Sequence, residues 1–127
     1  MRLNEKAMEN LEACKRLLPD DEFENDCLPN AAAARAYYAA YLAVADRALR
    51  NGEYFTASSR DYFRHDTLPQ EARRWGILDS DGSEELELLW GLRIKADYQE
   101  DQVALDEASQ AFDIAEQLVN RLLNGRD

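Results

Sequence analysis

The stretch from Asn30 to Gly52, NAAAARAYYAAYLAVADRALRNG, constrains the fold more than any other part of the chain. Alanine loses the least freedom on entering a helix, and no glycine or proline interrupts the run. Asn30 is a good N-cap, and Asn51-Gly52 supplies a residue able to take the left-handed closing conformation. The pattern therefore predicts a helix over about 31–50. Alanines at 32, 36, 39, 40 and 43 leave so little side-chain bulk that neighbouring helices can approach closely. Tyr37, Tyr38 and Tyr41 supply the large groups. A helix of this kind has to be central, with the rest of the chain packed round it.

The remaining sequence provides helices to do so. Leu3, Met8, Leu11, Cys14 (or the aliphatic stem of Lys15) and Leu18 recur at helical spacing and predict a helix over about 3–18. Pro19 ends it, and PDDEFENDCLPN reads as a loop with Phe23, Cys27 and Leu28 turned inward. Ser58 or Ser59 can open a helix through about His65. Thr67-Leu-Pro-Gln70 then fits a capping box for a shorter helix to Trp75, closed by Gly76. Asp79-Ser-Asp-Gly82 reads as a turn, with Asp81 or Ser83 capping a fourth helix. That helix buries Leu86, Leu89, Leu92 and Ala96, with Trp90 and Ile94 beside them. Leu105, Ala108, Phe112, Ala115, Val119 and Leu122 define a last helix over about 102–123. Short connections between five helical regions predict one all-α domain over 1–127, an antiparallel four- to five-helix up-and-down bundle. No segment reads as a strand.

Charge and residue chemistry narrow the function classes. A net charge of −11 argues against general nucleic-acid binding, which depends on neutralising phosphates. The charge is uneven, because residues 29–76 hold seven arginines against five acids. Arg60, Arg64, Arg73 and Arg74 thus form a candidate basic face in an acidic body. Cys14 and Cys27 lack a metal-ligand spacing and read as buried free thiols. With no apolar run near 18 residues and no secretory pattern at the start, the expectation is a soluble cytoplasmic chain without membrane contact. The single histidine, His65, limits metal sites and general-base options. No metal or cofactor is expected. Phosphate-loop, nucleophile-elbow and ExxH patterns are all missing from the sequence.

Two stretches combine small packing residues with polar groups beyond what a generic bundle needs. One is Arg35-Ala-Tyr37-Tyr38-Ala39-Ala40-Tyr41. The other is Leu92-Arg93-Ile-Lys-Ala96-Asp97-Tyr98, in which Arg93 and Asp97 are four apart and can pair on one helix face. A buried polar network fixing helix register would account for them. The ordered pair AARAYYAAYLA and LRIKADY also resembles the HEPN superfamily, in particular its small single-domain prokaryotic branch. Arg35, Tyr37, Tyr38 and Ala39 carry the first motif, and Arg93, Ala96, Asp97 and Tyr98 the second. The resemblance implies a bundle that dimerises through its central helices. It also implies nucleotide- or RNA-directed roles, often as a metal-independent ribonuclease or beside a minimal nucleotidyltransferase.

The resemblance implies that active members carry the arginine, then four to six residues, then a histidine. Here Tyr98, Gln99 and Glu100 occupy those places. RNA cleavage needs one group to take the 2′-hydroxyl proton and another to stabilise the leaving oxygen. Arg93 can stabilise charge, but Asp97 repels phosphate and a tyrosine with an ordinary pKa near 10 is a poor base. The first reading is a HEPN-like homodimeric module without ribonuclease activity. It would act with a nucleotidyltransferase-type partner in a toxin–antitoxin or defence system. Arg35, Tyr38, Arg60, Arg64, Arg93, Asp97 and Tyr98 are then the ligand- or partner-binding candidates. The alternatives are an endoribonuclease with an altered site built from Arg93, Tyr98 and His65, or a purely structural helical adaptor.

Overall fold

A computed structural model describes residues 2–18, 28–52, 63–99 and 102–124. Its five helices are α1 (Leu3–Leu17), α2 (Pro29–Arg50), α3 (Leu68–Arg74), α4 (Ser80–Tyr98) and α5 (Leu105–Asn124). The protein is all-α, with no strand among the described residues. No described helix is long and apolar enough to cross a membrane. Phe23, Cys27, Ser58, Ser59, Arg60 and Glu100 lie outside the described residues, so the expectations placed on them find no counterpart here.

Helix α2 takes the central position that its alanines predicted. It packs against α1, α4 and α5, while α3 packs on α4. Ala32, Ala33, Ala36, Ala39, Ala40, Ala43, Ala45 and Ala48 are all fully buried. They face more than one neighbour, since alanines one or two apart, such as Ala32 and Ala33 or Ala43 and Ala45, point to different sides of the helix. The start of α2 differs from expectation. Pro29 occupies its first turn and Leu28 its N-cap position, with no side-chain cap. Proline suits that place because its missing N–H would lack an intrahelical partner anyway. Asn30 is therefore already inside the helix, and its Oδ1 instead accepts the backbone N–H of Val103 at 2.8 Å, ahead of α5. The other end matches: Asn51 is the C-cap and Gly52 has φ 85°.

The buried faces of the other helices follow their periodicity with local corrections. On α1 the core residues are Ala7, Leu11 and Cys14, whereas Met8 is 48% exposed. Alanine at 7 was hidden from the reading because it carries so little hydrophobic signal. On α4 Leu86 and Leu89 are buried, but Trp90, Leu92, Ile94 and Ala96 are only half-buried. On α5 Ala108, Ala111, Ala115, Leu118, Val119 and Leu122 face the core. Leu105 is 39% exposed, and residues 102–104 precede the helix rather than open it.

Helix ends account for most of the remaining polar chemistry. Asp79, not Asp81 or Ser83, caps α4, its Oδ1 accepting from the Gly82 N–H at 2.7 Å. Ser83 is buried within the first turn and donates to the Pro69 carbonyl at 3.0 Å, tying α4 to α3. Thr67 does stand at the N-cap of α3, but its side chain makes no capping bond and its hydroxyl is buried without a partner. Residues 63–67 form a bend and turn, so the helix expected through His65 is not continued there. Ahead of α5, Glu107 Oε1 accepts from the Ala104 N–H at 3.0 Å and from Lys95 Nζ at 3.1 Å. The Ala104 N–H first, and then Lys95, hold the Glu107 carboxyl below its ordinary value. This tie contributes above the unfolded carboxylate pKa and weakens as pH falls through the lowered folded value.

The cap assignment has a direct test. Asp79→Ala is expected to lower stability by about 1 kcal/mol, and Asp81→Ala by a few tenths at most. Thermal melts of the two variants would refute the assignment if their order were reversed.

Candidate functional site

The tyrosines of α2, the 63–67 turn and the last turns of α4 meet in one place. Tyr37 and Tyr41 are buried at 1% and 4% exposure, while Tyr38, one position on from Tyr37, is half-buried and turned toward α4. Arg93 reaches across from α4, and its Nη2 donates to Tyr38 Oη at 2.9 Å. Its guanidinium carbon lies 5.4 Å from the Tyr38 ring centroid and 5.3 Å from that of Tyr98. The cation is thus held between two aromatic faces, a favourable electrostatic arrangement.

Asp97 completes this arrangement. Its Oδ2 lies 3.1 Å from Arg93 Nε, giving the ion pair expected from their four-residue spacing. The contact is an ion pair rather than an aligned hydrogen bond, because the buried Nε–H has no acceptor in its own direction. Burial opposes the charge on Arg93, but the oxygens of Tyr38, Tyr98 and Asp97 more than offset it and raise the pKa. Arginine is cationic at every accessible pH, so this cluster carries a permanent positive charge.

His65 comes alongside from the turn before α3, a placement that nothing in the local sequence dictated. Its Nδ1 is hydrogen-bonded to Tyr37 Oη. Its ring is 4.4 Å from the Tyr41 centroid in a tilted stack and meets Tyr38 edge-on at 6.4 Å. The turn itself is anchored by Tyr41, whose hydroxyl donates to the Phe63 carbonyl at 2.7 Å and accepts the Phe63 N–H at 3.0 Å. Sequence reasoning did not find this anchor, since the partners are 22 positions apart and one of them is backbone.

The other candidates stand elsewhere. Arg35 is exposed and turned to the α1 side, where it donates to Asn10 Oδ1 at 3.1 Å. It does not join Arg93. Arg64 is bound by Asp66 through two hydrogen bonds, of 3.1 and 2.9 Å. The Arg64 hydrogen bond first, reinforced by its charge, holds the Asp66 carboxyl below its ordinary value. Arg73 and Arg74 line an open groove of about 490 Å³ together with Glu84 and Glu87. The expected basic face is therefore interleaved with acids at every described arginine. Phosphate binding at Arg64 would first have to displace the Asp66 carboxylate.

Cys14 is a buried free thiol, with desolvation pushing its pKa up to about 12. A thiol so rarely ionised is a poor nucleophile. Among the described residues no group of three or more histidine, cysteine or acidic side chains is placed to hold a metal ion.

Fold and cluster together define an all-helical protein whose α2–α4 junction carries an arginine caged by tyrosines beside a histidine. No family model and no curated protein matches the sequence.

Proposed function

We propose that this chain is a HEPN-like helical module, an antiparallel up-and-down bundle that self-associates. In this reading it acts through a protein partner, of nucleotidyltransferase type, in a toxin–antitoxin or defence setting, rather than as a ribonuclease. The observation that carries the reading is the commitment of Arg93 to its own chain. Its guanidinium is bonded to Tyr38, paired with Asp97 and covered by Tyr98. Such an arginine fixes the register of α4 on α2 and presents Tyr98, 69% exposed, as a rigid aromatic contact. Exposed aromatics with few rotatable bonds are favoured anchors for partners.

Co-expression with a nucleotidyltransferase encoded beside this gene tests the reading. Stoichiometric co-purification is expected, and Tyr98→Ala should weaken the complex tenfold or more while leaving the helical content unchanged. Recovery of the chain alone under these conditions would refute it.

The position of His65 favours a second reading, the altered endoribonuclease. Tyr38 touches both Arg93 and His65, so a proton-transfer group and a cation stand on either side of one side chain. Single-stranded RNA incubated with the protein in a chelator decides between the two. The first reading expects no cleavage. Cleavage lost in both Arg93→Ala and His65→Ala would replace it with the second.

A further inference from the structure

Helices α3 and α4 line the open groove of about 490 Å³ with one polar face each. Gln70, Arg73 and Arg74 fall at i, i+3 and i+4 on α3, and Ser80, Ser83, Glu84 and Glu87 repeat that spacing on α4. Residues 75–79 connect the two helices, and the Ser83 bond to the Pro69 carbonyl holds them side by side. Arg73 and Arg74 belong to the last turn of α3 and share the groove with Ser80, the first residue of α4. Glu84 and Glu87 lie about one and two turns further along α4. The groove therefore has cations toward one end and carboxylates toward the other.

These charges are not used by the fold. Arg16, Arg50, Arg64 and Arg93 each pair with an acid close by in the chain. Arg73, Arg74, Glu84 and Glu87 are all exposed and form no ion pair with any described residue, although both signs line one groove. Beyond the groove Leu88 stands 51% exposed, one turn along α4 from Glu84. A large apolar side chain there adds nothing to the capture of a small polar solute, but it suits the apolar part of a protein contact. Pockets for small molecules bury most of the ligand surface, whereas every lining residue here except Ser83 is exposed.

We infer that the α3–α4 groove docks an extended segment of another protein that carries an acid, a base and an apolar residue at alternate positions. Ser80, Glu84 and Leu88 recur every four residues along α4, about 6 Å apart at roughly 1.5 Å per residue. Alternate side chains of an extended chain point to one side and lie about 6.6 Å apart. Laid along α4, such a segment sets its acid at Arg73 and Arg74, its base at Glu84 and Glu87, and its apolar residue on Leu88. The guanidinium fork matches a carboxylate, so the arginine end fixes the direction of the segment. The surface lies at the other end of α4 from Tyr98 and is separate from the contact proposed above. Exposed charge pairs of this kind decide partner and register more than affinity, and they weaken as salt rises.

Fluorescence anisotropy of a dye-labelled, end-blocked peptide titrated with the full chain at low salt tests it. The probe has aspartate, serine, lysine, serine and leucine in that order, and its control exchanges the aspartate and the lysine. The probe should bind tenfold or more tightly than the control. Arg73→Gln together with Arg74→Gln should abolish that preference at unchanged helical content. Exchanging all four charges, with Arg73→Glu, Arg74→Glu, Glu84→Lys and Glu87→Lys, should reverse it, an outcome that a misfolded chain cannot produce. Leu88→Ser, at an exposed position, should weaken probe binding threefold or more. No binding by the wild type, equal binding of the two peptides, or a preference that survives loss of both arginines would overturn the inference. Competition by the bare aspartyl-lysine dipeptide as strong as that of the unlabelled probe would make the occupant a small zwitterion, and would overturn it as well.

Discussion

Tyr41→Phe is expected to lower the unfolding free energy by about 1–3 kcal/mol, because one lost oxygen removes hydrogen bonds from two buried backbone groups. The Tyr41 hydroxyl both donates to the Phe63 carbonyl and accepts the Phe63 N–H, and Phe63 is 1% exposed. Phenylalanine fills the same space, so the loss isolates the polar contribution from packing. The melting temperature should fall by roughly 10 °C for a domain of this size. Tyr38→Phe provides the contrast. It removes a bond between a half-buried hydroxyl and an arginine that also has Asp97, so its effect should stay near about 1 kcal/mol. If Tyr38→Phe proved the more damaging of the two, the anchoring role assigned to Tyr41 would be wrong.

The second large effect belongs to Arg47, a buried arginine at 8% exposure. Its Nε and Nη2 donate to the Leu122 carbonyl at 3.2 and 2.6 Å, in the last turn of α5. Carbonyls in a final turn lack the intrahelical N–H partner, and the negative end of the helix dipole favours a cation there. Arg47→Met keeps most of the volume and removes the charge, and it is expected to lower stability by about 1.5–3 kcal/mol. Arg50 also donates to Leu122 at 3.2 Å but is half-exposed and paired with Asp46 at 2.9 Å. Arg50→Met should therefore stay below about 1 kcal/mol. Chemical denaturation of both variants measures the difference, and equal losses would contradict a specific Arg47 clamp.

The parts of the molecule readable from sequence were those set by local physics. Alanine content and the Asn51-Gly52 end placed α2 to within two residues at either end. Periodicity supplied part of the core faces of α1 and α5: it found Leu11, Cys14, Ala108, Ala115, Val119 and Leu122 but missed Ala7, Ala111 and Leu118, and it placed the exposed Met8 and Leu105 inward. Where several residues were equally capable, sequence could not choose. In DSDGS the pattern offered Asp81 or Ser83 as the cap, but Asp79 is equally suited by type, and only the bond to Gly82 selects it. Asn30 was misread because it is a good cap by type, whereas Pro29 fixes the helix start and frees Asn30 for a bond 73 positions away.

The candidate site divides along the same line. The Arg93–Asp97 pair was legible because both residues lie on one helix at a spacing that makes them neighbours. The link from Arg93 to Tyr38 joins two helices, and that from His65 to Tyr37 joins a helix to a turn. No periodicity encodes either. Arg35 sits in the same motif as Tyr38 but is rotated to the α1 side, where only the three-dimensional arrangement reveals Asn10 as its partner.

The alanine-lined contact between α2 and its neighbours bears on how stability varies with temperature. Nearly half of the buried apolar residues described are alanines. Each exposes less hydrocarbon on unfolding than a leucine would, and hydrocarbon hydration is the main positive contribution to the heat capacity of unfolding. The protein should therefore have a smaller heat-capacity increment per residue than the usual 12–15 cal/mol/K, roughly, for globular domains. Its stability curve would be correspondingly shallow, changing little over a broad range of temperature on either side of its maximum.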